Sequence, residues 1–158
     1  MDTTTSFIHL IDREIACSLQ LLEVLQEENA VLKEADTARL EELTVTKQDV
    51  LKELDTRVAA HNALLAELGL PPGREGTEKL LDFFVDDPHA EEKWNELQEL
   101  AQAYRDLNEI NGGIVALSQR HVRQALDILS GNGNVAGNTY NKGGETRSLA
   151  DSQSIGKA

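Results

Sequence analysis

The side chains able to do chemistry in this sequence are scattered. Carboxylates come in adjacent pairs at Glu27-Glu28, Glu41-Glu42, Asp86-Asp87 and Glu91-Glu92. Neighbours on a helix point about 100° apart, too far to share a proton as a catalytic dyad does. These pairs read as solvated faces, or as charges that favour helix N-termini. The four histidines stand singly at 9, 61, 89 and 121, without the clustering a metal site needs. His61 and His121 fall on apolar stripes and are expected to be hydrogen-bonded core or boundary residues. Cys17 has apolar neighbours and no histidine nearby, so a buried, inert thiol is expected. As the single cysteine it cannot form an internal disulfide. Gly131-x-Gly133-x-x-Ala136 fits the dinucleotide fingerprint in letters only. That motif needs a strand before it and a helix after it, whereas here a helix precedes it and more glycine follows. No catalytic group, cofactor site or metal site is expected.

Composition says what must hold these residues. Of 158 residues 40% are hydrophobic but only 4% aromatic, so the core is built from leucine, isoleucine, valine and alanine. The three prolines, at 71, 72 and 88, leave long stretches free to be helical. Net charge is −13 and uneven: residues 1–69 carry 6 basic and 14 acidic groups, residues 70–130 carry 6 and 12, and residues 131–158 carry 3 and 2. Such an acidic body repels phosphate backbones and anionic lipid heads, so neither nucleic acid nor a membrane is the expected partner. No run approaches the roughly 18 apolar residues of a spanning helix. No basic region precedes an apolar stretch at the N-terminus, so a cytoplasmic protein is expected.

Apolar spacing predicts long helices. Ile8, Ile11, Ile15, Leu19, Leu22 and Leu25 recur at steps of three and four within a first helix from about Ser6 to Ala35. Asp36 can cap a second helix, whose stripe runs Leu40, Leu43, Lys47, Val50, Leu54, Val58, His61, Leu65 and Leu68 until Gly69 ends it. Two such equal helices predict an antiparallel coiled-coil hairpin. Pro71 to Gly76 reads as a loop, followed by a short helix from Thr77 to about Val85, with Phe83 and Phe84 as a lid on one end of the bundle. Asp87-Pro88 is a helix start. The third long helix carries Leu97, Leu100, Tyr104, Leu107, Ile110, Ile114, Leu117 and His121 along its stripe. It runs to Leu129, with Trp94 as a packing anchor near its beginning. The expected fold is all-α: a long helical hairpin plus a third long helix, in a three- or four-helix bundle. Residues 1–130 form the helical domain. Residues 131–158, with six glycines and four asparagines, read as a flexible tail.

Within that third helix, no acid stands between Glu109 and Asp127 in a chain that has 28 of them. The interval contains Arg120, Arg123 and the adjacent Gly112 and Gly113, each glycine costing about 1 kcal/mol in a helix relative to alanine. The helix also outlasts its neighbours by about a dozen residues, so its end lacks a permanent partner. The glycines would let another backbone approach closely, or let the helix bend.

"LNEINGGIVALSQRHVRQALDILSG", with "TYNKGG" in the tail, resembles the C-terminal half of the FlgN family of flagellar export chaperones. Asn108 to Gly112, the Ala-Leu-x-x-Leu ending at Leu129 and the tyrosine-glycine element carry the likeness. The resemblance implies a cytosolic chaperone of flagellar type III secretion. Its partners would be the C-terminal amphipathic helices of two hook-associated (hook–filament junction) proteins, taken up by helix-in-groove recognition. It also implies that the tail tyrosine, Tyr140 here, docks on the cytoplasmic domain of the export gate. The expected binding face comprises Ile110, Ile114, Leu117, Val122, Ala125, Ile128 and Leu129, with Arg120 and Arg123 steering the partner. Some of these seven are expected to pack internally, because they span more than one helical face. A self-associating structural coiled coil, or an adaptor of another secretion system, is the alternative.

Overall fold

The computed structural model describes residues 2–131; Tyr140 and the rest of the expected tail lie outside the described residues. Four helices follow one another, α1 (Thr3–Glu34), α2 (Thr37–Glu67), α3 (Gly73–Leu81) and α4 (Pro88–Leu129), and no strand occurs among the described residues. The chain divides into two compact units, Met1–Asn111 and a second that begins at Gly112.

Local chemistry sets the helix ends. The Asp2 carboxylate accepts from the Thr5 backbone N–H at 3.1 Å and caps α1, and Asp36 accepts from the Arg39 N–H at 3.1 Å and caps α2. Between the two long helices only Ala35 and Asp36 intervene, and Ala35 takes the left-handed conformation (φ 58°) that closes the hairpin. Gly69 at φ 74° follows the end of α2, and Gly131 at φ 88° follows the end of α4, as glycine past a C-cap should. Asp87 accepts from the His89 N–H at 3.1 Å, with Pro88 as the first residue of α4.

The expected stripe of α1 is corrected by its buried positions. Phe7, Ile11, Glu14, Ser18, Leu21, Leu25 and Glu28 are all buried, at alternating steps of four and three. That is a heptad seam, but three of its seven slots are polar. Leu19, expected inside, is exposed. Two apolar clusters fill the first unit. One joins Phe7, Ile11, Ile15, Leu65, Leu80, Ala90 and Leu97, with Trp94 and Phe84 packed against it. The other joins Cys17, Leu21, Leu25 and Leu54, with Tyr104 and Leu107 against it. The expected aromatic lid is therefore half correct: Phe84 lies 5.7 Å from Phe7 by ring centroids, whereas Phe83 is 74% exposed.

Residues 73–76, expected as loop, are the first turn of α3. Thr77, expected as the start of this helix, lies fully buried within it instead. Gly76 makes this packing possible, since a Cβ there would lie 1.7 Å from the Pro71 carbonyl oxygen. Only glycine admits the preceding backbone so close.

Candidate functional site

Among the described residues, two buried arrangements draw polar side chains together, and both lie in the first unit. In the first, Glu14, His61 and Thr77 form a carboxylate–imidazole–hydroxyl chain. His61 Nδ1 donates to Glu14 Oε1 at 2.7 Å, and Nε2 lies 3.1 Å from Thr77 Oγ1, which donates to the Gly73 carbonyl at 2.8 Å. The sequence of groups resembles a hydrolytic triad, but a nucleophile must reach its substrate. Thr77 is fully buried, His61 and Glu14 are nearly so, and Phe7 and Trp94 stack edgewise on the imidazole at 5.6 and 6.0 Å. The chain is a tether that ties α3 to α1 and α2. His61 is thus the hydrogen-bonded core histidine expected, while His121 is exposed rather than core or boundary.

The second arrangement centres on Asn111. Its Nδ2 donates to the Leu25 carbonyl at 3.0 Å and to Glu28 Oε1 at 2.8 Å, and its Oδ1 accepts from Asn29 Nδ2 at 2.9 Å. Lys47 Nζ completes the shell, 3.3 Å from Glu28. Glu28 is therefore buried and paired, not the solvated charge expected of it. Glu27, about 100° further round α1, points outward and pairs with Arg39 instead. Asn111 is 2% exposed, whereas its neighbour Ile110 is 56% exposed, so the polar residue takes the inner position on α4.

Cys17 is also buried, and its thiol donates to the Val50 carbonyl at 3.6 Å. Burial, and then the nearby Glu53 carboxylate, push the thiol above its ordinary value, so it stays protonated and unreactive. An open groove of about 500 Å³ runs over Ser18, Leu54, Val58, Trp94 and Tyr104. Among the described residues, no three His, Cys, Asp or Glu side chains gather as metal ligands would.

The predicted binding residues lie elsewhere, toward the end of α4. The helix is continuous through Gly112 and Gly113, and every residue from 115 to 130 is exposed. Leu117, Val122, Ile128 and Leu129 are 45%, 57%, 68% and 83% exposed; Ala125, Arg120 and Arg123 are exposed as well, and Ile114 is half-buried. The expectation that some of the seven apolar members pack internally is therefore not met beyond Ile114. Sequence reasoning passed over two further exposed apolar residues, Val115 and Leu126. They lie beside the named Val122 and Leu129, away from the Ile110, Ile114, Leu117 and His121 stripe.

At about 100° per residue, the apolar side chains from Ile114 to Leu129 other than Ala116 occupy roughly half the circumference of the helix, with Ser118 and His121 among them. Arg120, Arg123 and Asp127 share the other half with Gly112 and Gly113. The glycines thus sit on the charged side, not in the apolar face, and a Cβ on either would meet nothing within 4 Å. Close approach of this chain's own backbone is not their role, and the helix does not break there. What remains is the lower helix propensity they bring to the boundary between the two units.

Beyond Gly113, α4 thus presents an exposed apolar face bordered by Arg120 and Arg123. The family model of the FlgN protein matches residues 1–148, and the chain belongs to that family. A crystal structure of the flagella synthesis protein FlgN from Pseudomonas aeruginosa is similar in fold, with a TM-score of 0.62 and 25% sequence identity over 73% of this chain and 90% of that one. No curated protein matches. No helix among the described residues is long and apolar enough to cross a membrane.

Proposed function

We propose that this protein is a cytosolic chaperone of flagellar type III export. It binds the C-terminal amphipathic helices of two hook-associated proteins, keeps them from assembling prematurely and delivers them to the export apparatus. Membership of the FlgN family supports the flagellar role broadly. The single observation that carries the binding mechanism is the uncovered apolar half of α4 between Ile114 and Leu129. An apolar surface of this length on a monomer marks an interaction site, and a helical one suits an amphipathic helix that lacks its own partner. Ile110, Ile114, Leu117, Val122, Ala125, Ile128 and Leu129 supply the apolar contact, and Arg120 and Arg123 supply its charged border. Catalysis has no part in this work.

In this reading residues 1–130 are the chaperone domain, and residues 131–158 carry the link to the export gate through Tyr140. The two duties separate experimentally. Ile128→Asp should abolish capture of a hook-associated protein by the purified chaperone with the circular dichroism of the helices unchanged. Tyr140→Ala should leave that capture intact and weaken binding to the cytoplasmic domain of the export gate. Unimpaired capture by Ile128→Asp would remove the end of α4 from the binding site. A concentration-dependent size of the free protein in sedimentation, with no capture at all, would favour the self-associating alternative.

A further inference from the structure

The exposed half of α4 is wider than one partner helix needs. A single coiled-coil seam uses only the a and d positions. At about 100° per residue, Ile114, Leu117, Ala125 and Ile128 fall within roughly 80° of one another, with the exposed His121 among them. Val115, Val122, Leu126 and Leu129 form a second strip roughly 60° wide, centred about 110° from the first. Both strips are exposed except at Ile114. Each has its own arginine: Arg120 lies about 60° outside Leu117 on one edge, and Arg123 about 60° outside Leu126 on the other. Neither arginine is in an ion pair among the described residues. Asp127, the one acid after Glu109 in this helix, lies between the two arginines on the far side, away from both strips.

We infer that this end of α4 docks two helices side by side, both from one partner chain, one on each strip. Each partner helix presents an apolar face with an acidic residue on the flank that meets Arg120 or Arg123. The charge pattern supports this occupant over a single helix, which would bury one strip, engage one arginine and leave the other strip wet. Two helices of one chain are favoured over two separate chains by geometry and entropy. Each strip is only about 15 residues long, about 22 Å, and once one helix is seated the second binds at the high effective concentration of a tethered group. The inference rests on the proposal that this face receives hook-associated proteins.

The test uses the full-length chaperone, a purified hook-associated protein and a synthetic peptide of that protein's last helix. Leu117→Asp breaks the first strip, Leu126→Asp the second, and circular dichroism verifies that helical content is unchanged in each. Two-helix docking predicts that either variant weakens the whole partner at least 100-fold. It also predicts that the single-helix peptide binds at least 10-fold more weakly than the whole partner and responds to only one of the two variants. Arg120→Glu and Arg123→Glu should each weaken the whole partner several-fold, with loss of salt dependence. If only one strip matters to the whole partner, or the peptide binds as tightly as the whole protein, one helix suffices and the inference fails while the chaperone reading stands. If neither variant weakens the whole partner, the docking face itself is misplaced and both fall.

Discussion

Helix α4 is one element with two halves of similar apolar content and opposite fates. From Ala90 to Leu107 its leucines and aromatics pack against α1 and α2 in two clusters. From Leu117 to Leu129 its apolar side chains face solvent. Burial in the first half is fixed by polar contacts as much as by apolar ones: Lys93 pairs with Asp12 at 2.8 Å, and Asn111 makes three hydrogen bonds to α1. In the second half no acid interrupts the apolar face and no polar side chain ties it down. The same helical pattern therefore serves as scaffold where polar groups specify a partner surface within the chain, and stays exposed, as the proposed docking surface, where they do not.

That contrast predicts that substitutions in the first unit cost stability, while those at the end of α4 cost binding. The largest effect is expected at Gly76. Gly76→Ala drives a methyl into the Pro71 carbonyl, a contact between two backbones that no rotamer change relieves. Urea denaturation should show a loss of about 3 kcal/mol, with α3 and its hold on His61 going first. A loss below about 1 kcal/mol would mean that the turn before α3 relaxes freely. Asn111→Ala comes next. It leaves Glu28 with Lys47 alone and the Leu25 carbonyl without its side-chain donor, at a cost of about 2 kcal/mol. Asn111→Asp would be worse than alanine, because it sets a second carboxylate against Glu28.

The smallest effect, and of opposite sign, belongs to the glycine pair. With open space around both, Gly112→Ala and Gly113→Ala are sterically free and should each stabilise the helix locally by up to about 1 kcal/mol. Amide exchange at residues 112–129 should slow, with the unfolding midpoint of the first unit unchanged. If both alanines instead raise the global midpoint, the contrast between the two halves is weaker than drawn here.

Most of the fold was legible in the sequence, and the misses share one cause. Helix ends at Asp36, Gly69 and Asp87-Pro88 followed from capping chemistry that acts within a few residues. The α1 seam was misread because Glu14, Ser18 and Glu28 occupy core slots, so an apolar count follows Leu19 instead. Nothing local reveals that Glu14 will meet His61, 47 residues away, or that Glu28 will meet Asn111, 83 residues away. Gly76 was read as loop because its neighbours are prolines and glycine, although its purpose is a close approach within a helix. The candidate face was visible as an acid-free interval spanning more than one helical face, but its exposure was not, since some of it was expected to pack internally. Val115 and Leu126 lie off the expected stripe, and only exposure along the whole circumference reveals them.

Hydrogen exchange of the full-length chaperone, with and without a purified hook-associated protein, tests the central claim most directly. The account predicts that partner binding slows exchange strongly at residues 112–129, which are expected to be among the least protected helical amides in the free protein. Amides of α1 and α2 should change little. Protection centred instead on residues 94–105, beside the groove over Ser18 and Tyr104, with residues 112–129 unchanged, would contradict it and move the docking surface into the first unit.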